Sequence, residues 1–338
     1  MSAAHSKHTA ADLPGADEQI VVLVFQGPRS GKRGQDCAKG NTGGCSEIYI
    51  VESVDDGLTW RKPIFVARDN PNDVVNRLSP TVTYDREQDV IYITYTYNNV
   101  ETKEMSIGLV RKDLSLHKYN NEEHVGLFGA SQGAHHPKVV VTNPEKHKGD
   151  IHLAYTGIFS DGGKSVFYTK STDNAKTWTA PKDITPNDHK GDHYTDLAAV
   201  GIAGLQEVFL VYGENYGADI KMIFSENGGN SWSSPKKVNT RAGVVPYIKI
   251  CGQTKTLGVF FSMFLEKENN KFDLLYYNHT DNSYKPIPRP FIEIPIFSHT
   301  PMVECTGLSN ADVKFIVTAA SKNAIVFDDY NYDLPDME

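Results

Sequence analysis

The stretch SVDDGLTW, residues Ser53–Trp60, has three versions in this chain. It recurs as STDNAKTW at Ser171–Trp178 and as SENGGNSW at Ser225–Trp232, where asparagine replaces the aspartate and serine replaces the threonine. All three tryptophans of the 338-residue chain end one version, and a proline follows each of them three residues later. Because chance does not place every tryptophan in one frame, we predict a chain built from repeated units, and such a repeat decides the fold.

The repeated stretch has the composition of a tight hairpin turn. Asp55 can accept backbone N–H bonds inside the turn, and Gly57 tolerates a positive φ. Trp60 can cover an apolar layer of the sheet. In the second version Ala175 stands where the glycine is expected. Each version is therefore predicted to close a hairpin at the end of one unit.

A second repeat, of the form x-Pro-x-aliphatic, is predicted to mark the start of an inner strand in each unit. It occurs at Ser79–Val82, His136–Val139, Val245–Ile248 and Thr300–Val303, and Tyr194–Leu197 takes the same place without proline. Proline suits the first residue of a strand because its missing N–H does no harm there. Apolar alternating runs follow these starts, at Ile91–Tyr95, Ile151–Tyr155, Val208–Tyr212, Val259–Met263 and Val313–Val317.

These starts, together with an N-terminal unit that ends at Trp60, predict six units. The N-terminal unit has strands at Val21–Gln26 and Glu47–Ser53 but no clear innermost strand, and the last unit has no obvious outermost strand. A final sheet that combines both chain ends would explain both gaps and remove exposed edges. We therefore expect a flexible segment over residues 1–18 and a single domain over residues 19–338.

The repeated turn resembles the Asp-box, or BNR repeat, of the sialidase-like β-propellers. The resemblance covers nearly the whole chain at the level of its units and is strongest at Ser53–Trp60. It implies an all-β fold, a six-bladed β-propeller of four-stranded antiparallel sheets. It also implies that the turns lie on the outer rim, so that their residues are structural, and that a glycan binds in the central funnel.

The same resemblance implies candidate site residues. Asp36 best matches the aspartate that serves the family as acid/base, and Arg29 shares its loop. Glu214 is the candidate glutamate, with Tyr194 or Tyr247 as the candidate nucleophile. The substrate-binding candidates, which the repeats predict at the mouth of the funnel, are Arg29, Arg77, His136, Asp192, His193, Arg241, Arg289 and His299.

The match to sialidase chemistry is incomplete, and three functions stay open. The family's first arginine lies in an R-I-P motif where this chain has Ala11–Pro14, and His299 stands where a nucleophilic tyrosine is expected. Arginine matters there because its guanidinium binds a carboxylate bidentately. The alternatives are a glycoside hydrolase with a diverged active site, a non-catalytic glycan- or protein-binding propeller, and a glycan lyase that uses histidine, tyrosine and arginine.

Composition limits the partners of the chain. A net charge of -8 and a pI of about 5.8 argue against a general nucleic-acid binder, and no apolar run reaches the length of a membrane span. We expect a carbohydrate or glycoconjugate ligand, no cofactor and no metal. Residues 1–18 lack the apolar segment of a signal peptide, so the protein is either cytoplasmic or secreted after removal of a signal. Cys37 and Cys45 share one loop, but four cysteines allow three pairings.

Overall fold

The structure, a computed structural model, describes twenty segments of the chain. These are residues 2–7, 19–28, 45–53, 59–67, 75–85, 88–114, 118–119, 122–125, 133–142, 149–185, 195–202, 205–214, 219–238, 244–251, 258–265, 271–278, 283–286, 302–308, 312–320 and 325–333. Outside residues 22–238, Ile248 is the only residue whose side chain is described. The chain divides into two compact units, Met1–Asn187 and Asp188–Glu338.

The first unit contains three antiparallel sheets. Sheet 1 is formed by β1 (Ser2–Lys7), β2 (Gln19–Pro28), β3 (Ser46–Ser53) and β4 (Ile64–Phe65). Sheet 2 is formed by β5 (Val75–Asp85), β6 (Val90–Asn99), β7 (Met105–Asp113), β8 (Lys118–Tyr119) and β9 (Glu123–Val125), and both β8 and β9 pair with β7. Sheet 3 is formed by β10 (Gly133–Val141), β11 (Ile151–Ile158), β12 (Lys164–Ser171) and β13 (Lys182–Asp183).

The second unit also contains three antiparallel sheets. Sheet 4 is formed by β14 (Thr195–Ile202), β15 (Leu205–Glu214), β16 (Asp219–Ser225) and β17 (Lys236–Lys237). Sheet 5 is formed by β18 (Val244–Cys251), β19 (Gly258–Leu265), β20 (Lys271–Asn278) and β21 (Ser283–Pro286). Sheet 6 is formed by β22 (Met302–Leu308), β23 (Asp312–Ala320) and β24 (Ile325–Asp333).

The described segments are all strand, turn or irregular, without a helix, which confirms the predicted all-β class. Nowhere in these segments is there a helix with the length and apolar character needed to cross a membrane. The alternating apolar runs predicted as second strands lie within β6, β11, β15, β19 and β23. Sequence periodicity therefore located the second strand of sheets 2 to 6 correctly.

Apolar side chains hold neighbouring sheets together in the first unit. Ile93 and Tyr95 of β6 belong to a buried cluster shared with sheet 1, while Tyr92 of the same strand belongs to a cluster shared with sheet 3. Strand β6 is therefore covered on both faces, which explains why its sequence from Val90 to Tyr97 is a nearly continuous apolar and aromatic run. Burial of each such side chain contributes about 1.5–3 kcal/mol.

Pro80, Pro137 and Pro246 lie inside their strands, so the prediction that proline begins the strand was wrong at these three places. Strands β14 and β22 do begin at their predicted starts, at Thr195 and Met302. Strands β5 and β10 start several residues before Pro80 and Pro137. The pairing of β5 with β6 shifts register between Leu78 and Thr81, and equivalent shifts interrupt β10 and β18 at their prolines. A residue in such a bulge has no partner in the ladder, and a proline there loses no hydrogen bond.

The prediction that one sheet combines both chain ends was also wrong. The innermost strand of sheet 1 is β1, which comes from the N-terminal segment that the sequence predicts to be flexible. Residues 8–18 of that segment lie outside the described residues. Sheet 6 has three strands among the described residues.

Candidate functional site

Two residues in the bulges of the first unit have left-handed backbones. Ser79 in β5 and His136 in β10 both have a φ of 52°, and both precede a proline. A non-glycine residue in this region costs on the order of 1–3 kcal/mol and persists only where its surroundings hold it. The same strained conformation at the same place in adjacent sheets marks a candidate functional region.

A side chain from the preceding sheet holds each of these backbones. The N–H of Ser79 donates to Oε1 of Gln26 in β2 at 3.2 Å, and the N–H of His136 donates to Oγ1 of Thr96 in β6 at 3.0 Å. Both acceptors lie in the second strand of their sheets, so the two contacts are equivalent. We call Gln26, Ser79, Thr96, His135 and His136 the bulge cluster.

The two histidines of the bulge cluster form a hydrogen-bonded pair. Nδ1 of His135 lies 2.6 Å from Nδ1 of His136, and both side chains are half-buried. One of these nitrogens must donate and the other must accept, so at least one imidazole of the pair is neutral in this arrangement. When both imidazoles are neutral, the ring that donates through Nδ1 has a lone pair on Nε2 and can act as a base, while the other ring has an N–H at Nε2 and can donate. Among the described side chains, no group of three or more His, Cys, Asp or Glu could hold a metal ion.

Arg77, a predicted substrate-binding residue, lies in a buried ion-pair network. Its Nη1 donates to both carboxylate oxygens of Glu47 at 3.1 and 3.0 Å. Its Nε and Nη2 donate to the two oxygens of Glu122 at 2.9 and 2.8 Å. The guanidinium also lies 5.9 Å from the ring centroid of Tyr97. A substrate carboxylate would have to displace one of the two glutamates, which themselves satisfy the guanidinium bidentately.

The same network contains a tyrosine beside a glutamate, the pair that sialidase chemistry requires of its nucleophile. The hydroxyl of Tyr95 donates to Glu122 Oε1. Burial, and then the charge of Glu122, raises the pKa of Tyr95 well above its ordinary value. Burial alone would lower the pKa of Arg77, but its hydrogen bond and its charge interaction with Glu122 raise it. Tyr95 is fully buried and its hydroxyl is bonded to Glu122, an arrangement that suits a structural role in sheet 2.

Most other predicted site residues lie outside the described residues. These are Arg29, Asp36, Asp192, His193, Tyr194, Arg241, Arg289 and His299. Glu214 is the last residue of β15, and Tyr247 lies in β18 just after its bulge, but the side chains of both are outside the described part. Cys45 is disulfide-bonded. Cys37, its possible partner, lies outside the described residues.

The tryptophan-ended turn of sheet 3 lies at the far end of the sheet from the bulge cluster. His135 pairs with Thr156 of β11, whereas Ser171, the first residue of the turn, pairs with Ile151. Five residues of β11 separate these positions, a distance of about 17 Å. This separation agrees with a structural function for the turn.

The sequence analysis missed Glu47, Glu122 and Gln26. Glu47 has a visible signal, because it is a charged residue inside the apolar run of β3 and is 1% exposed. Glu122 precedes the short strand β9, and Gln26 directly follows the apolar run of β2, so neither stands out from its neighbours. Their partners come from positions 45 and 53 residues away along the chain.

Known proteins match this chain in structure but not in sequence. No family model matches it, and neither does any curated protein sequence. A mutant NanB sialidase of Streptococcus pneumoniae matches with a TM-score of 0.59 and 11% identity, over 91% of this chain and 65% of that one. The Trypanosoma rangeli sialidase matches with a TM-score of 0.60 and 12% identity, over 91% and 52%.

The chain has a sialidase-like fold. It spans 52–65% of the length of these two sialidases. An ulvan lyase, from a new family of polysaccharide lyases and bound to a GlcA(1-4)Rha3S unit, matches with a TM-score of 0.54 and 13% identity, over 93% of this chain and 78% of that one. Identities at this level concern the fold alone, because one fold hosts many functions.

Proposed function

We propose that this protein is carbohydrate-active and binds an acidic glycan against the bulge cluster. The observation that supports this most directly is the pair of left-handed residues, Ser79 and His136, at equivalent bulges of adjacent sheets. Polar side chains that are half-buried and held by a rigid scaffold suit the hydroxyl groups of a sugar. The likeness to sialidases and to an ulvan lyase agrees with this ligand class.

We also propose that the six consecutive sheets are the blades of a six-bladed β-propeller. Their order along the chain and the likeness in fold to sialidases support this arrangement. In such a fold Arg29, His193, Arg241, Arg289 and His299 would supply cations near the ligand. Asp192 would accept hydrogen bonds from sugar hydroxyls.

Two reactions are compatible with this ligand. In sialidase-like hydrolysis Asp36 would be the acid/base, and Glu214 would activate Tyr194 or Tyr247 as the nucleophile. In elimination from a uronate, a neutral base removes the proton α to the carboxyl group while a cation neutralises that group. The C–O bond at the β-carbon then breaks as the C=C bond forms, and the leaving glycosidic oxygen takes up a proton. The His135–His136 pair favours elimination, because when both imidazoles are neutral the ring that donates through Nδ1 keeps a lone pair on its Nε2. Arg77 contributes to neither reaction in this proposal, since two glutamates already hold it.

Three assays on the full chain separate these functions. A fluorogenic sialoside reports hydrolysis, absorbance of an unsaturated uronate reports elimination from polyuronates, and a glycan array reports binding without turnover. His136→Asn should reduce elimination or binding at least tenfold, because asparagine keeps the left-handed backbone but cannot act as a base. Asp173→Asn, in the distant turn of sheet 3, is the control and should change neither.

The outcomes differ for each alternative. Sialoside turnover that Asp36→Asn abolishes would establish hydrolysis, whereas array binding without any turnover would establish a binding module. Binding to a protein and to no glycan would refute the proposal.

A further inference from the structure

Three sheets end in equivalent outer strands with different side chains. Strands β4, β13 and β17 each begin four residues after the tryptophan of their turn. The residue directly after each strand donates its N–H to a carbonyl of the neighbouring strand. These three donors are Val66, Ile184 and Val238. The three strands are therefore structurally matched, and their sequences are Ile-Phe, Lys-Asp and Lys-Lys.

The outer strand of sheet 1 exposes apolar side chains where the other two expose charges. Trp60 is 40% exposed, Ile64 48% and Phe65 49%, and these are the large apolar side chains most exposed among the described residues. Trp178, by contrast, packs against the core cluster of sheets 2 and 3. Charged residues on an outer strand protect it from unwanted pairing, so their absence in β4 indicates a surface that contacts something.

Phe65 is the last of three aromatic residues that cross sheet 1. The ring of Phe25 stacks on Tyr49 at 5.5 Å between centroids, and the Tyr49 and Phe65 rings lie 4.9 Å apart at a tilt of 35°. Phe65 contacts Tyr49 on one side, and it lies in β4, the edge strand of sheet 1, where it is half-exposed. An exposed aromatic ring at the end of such a row can stack on the apolar face of a sugar, as it does on other flat ligands.

Two cations lie between the exposed aromatic residues. Arg61 is 59% exposed at its side chain and lies 3.5 Å from Glu52, and Lys62 is exposed. The N–H of Arg61 donates to the carbonyl of Glu52, whereas Phe65 pairs with Tyr49, so Arg61 and Phe65 lie about 10 Å apart along β3. Aromatic residues with cations between them suit an extended ligand that carries both apolar ring faces and negative charges.

We propose that Trp60, Arg61, Lys62, Ile64 and Phe65, here named the aromatic edge, form a second binding site for an acidic polysaccharide. This inference rests on the proposed function, because that function supplies the ligand class. A second copy of the chain fits less well, because two aromatic edges related by a two-fold axis would bring Arg61 and Lys62 of both copies together. The aromatic edge would hold a polysaccharide chain while the bulge cluster acts on another part of it, which raises the effective concentration of substrate.

The matched outer strands supply the test. Arg61→Ser/Lys62→Ser gives sheet 1 the Ser233–Ser234 sequence of sheet 4, and Ile64→Lys/Phe65→Asp gives it the Lys182–Asp183 sequence of sheet 3 without changing net charge. Thr179→Ser/Ala180→Ser, at the equivalent positions of sheet 3, is the control. Binding of the full chain to polygalacturonate, heparin and neutral dextran is measured by affinity gel electrophoresis, with thermal melting and light scattering on each variant.

Each grafted pair should weaken binding to polygalacturonate or heparin about tenfold. Neutral dextran should not slow the migration of any variant in the gel. Equal binding by wild type and both grafted variants would refute the second site, as would a grafted variant that turns a dimer into a monomer. If His136→Asn abolishes activity on short oligosaccharides and the grafts change nothing, the second site fails and the proposed function stands. If the wild-type protein neither binds nor cleaves any glycan, the second site and the proposed function both fail.

Discussion

Sheets 3 and 4 have the same strand order and nearly the same closing turn, yet they differ in backbone and core. In both turns the leading serine donates to the carboxylate or amide of the third residue and accepts the N–H of the fifth. The third residue, Asp173 or Asn227, also accepts the N–H of the seventh. The hydrogen bonds of the turn therefore depend on these polar residues, which both versions keep.

The two turns reach their left-handed conformation with different residues. Sheet 4 uses Gly228 and Gly229, with φ values of 64° and 80°. Sheet 3 uses Asn174 and Ala175, with φ values of 64° and 63°. Contacts from sheet 2 hold the more strained turn, because Arg111 donates to the carbonyl of Asn174 at 2.9 Å. The repeat thus tolerates the loss of glycine where a neighbouring sheet stabilises the turn.

The cores behind the two turns differ in polarity. His152 of sheet 3 is fully buried and lies 2.7 Å from the hydroxyl of Tyr168. His152 lies one residue after the partner of Ser171 in β11, and Phe209 lies one residue after the partner of Ser225 in β15. Phe209 therefore takes the equivalent position in sheet 4, where it stacks on Phe224 at 6.1 Å. Burial, and then the charge of Lys170, lowers the pKa of His152 to about 3. Only sheet 3 therefore buries a group at this position whose protonation opposes folding.

The largest effect expected from this difference is a loss of stability in acid. The folded pKa of His152 lies below its ordinary value of 6.5, so the unfolded chain binds more protons between pH 6.5 and pH 3. His152 alone should lower the free energy of unfolding by about 3 kcal/mol between pH 7 and pH 4. Chemical denaturation at a series of pH values measures this slope.

A variant that gives sheet 3 an apolar core isolates this contribution. His152→Phe/Tyr168→Phe removes both polar partners together, which avoids leaving one of them unpaired. Tyr168→Phe alone keeps the histidine and is the control. A double variant whose stability still falls as steeply as that of wild type would show that other groups cause the acid sensitivity.

The second largest effect should come from the turn's carboxylate. Asp173→Ala removes the acceptor of Ser171 Oγ, Thr177 N–H and Thr177 Oγ1, and should destabilise the protein by about 2 kcal/mol. Asp173→Asn copies sheet 4, where Asn227 makes the matching contacts, and should cost less than half as much. Equal losses in the two variants, measured by urea unfolding, would mean that charge rather than hydrogen-bond geometry holds the turn.

The parts of the fold that could be predicted from sequence are those that depend on neighbours in the chain. The turn residues bond within a few positions of one another, so the repeat located the sheet ends. Strand β1 was missed because Ser2–Lys7 has no apolar alternation and is a strand only through its pairing with β2.

The candidate site was harder to predict because its contacts are distant in sequence. Arg77 stands at a place where the repeats predict a ligand-binding residue, but Glu47 and Glu122, 30 and 45 residues away, hold its guanidinium. His136 was identified from its place before a proline, whereas its left-handed backbone depends on Thr96, 40 residues away. Sequence position alone does not distinguish an arginine that faces a ligand from one that holds two sheets together.

A smaller effect should follow from Gly228 in the turn of sheet 4. Gly228→Ala places a Cβ on a left-handed backbone and 2.4 Å from Gln206 Oε1, which can move because it ends a flexible side chain. The cost should be about 1–2 kcal/mol, mostly from the backbone. Gly228→Asn copies Asn174 and should cost about half of that, because asparagine tolerates this conformation. If the two variants have equal midpoints of urea unfolding, the loss of stability comes from the contact with Gln206 and not from the backbone.

The smallest effect should come from Ala175→Gly in the turn of sheet 3, because two contributions oppose each other. Glycine relieves a left-handed alanine, which is worth about 1 kcal/mol. Ala175 is also 4% exposed and belongs to the core cluster of sheets 2 and 3, so its methyl group contributes about 0.8 kcal/mol of burial. The net change in the free energy of unfolding should therefore stay within about 0.5 kcal/mol of zero. A gain above 1 kcal/mol in urea unfolding would mean that sheet 2 does not offset the strain, and a loss of that size would mean that the methyl group matters more than the backbone.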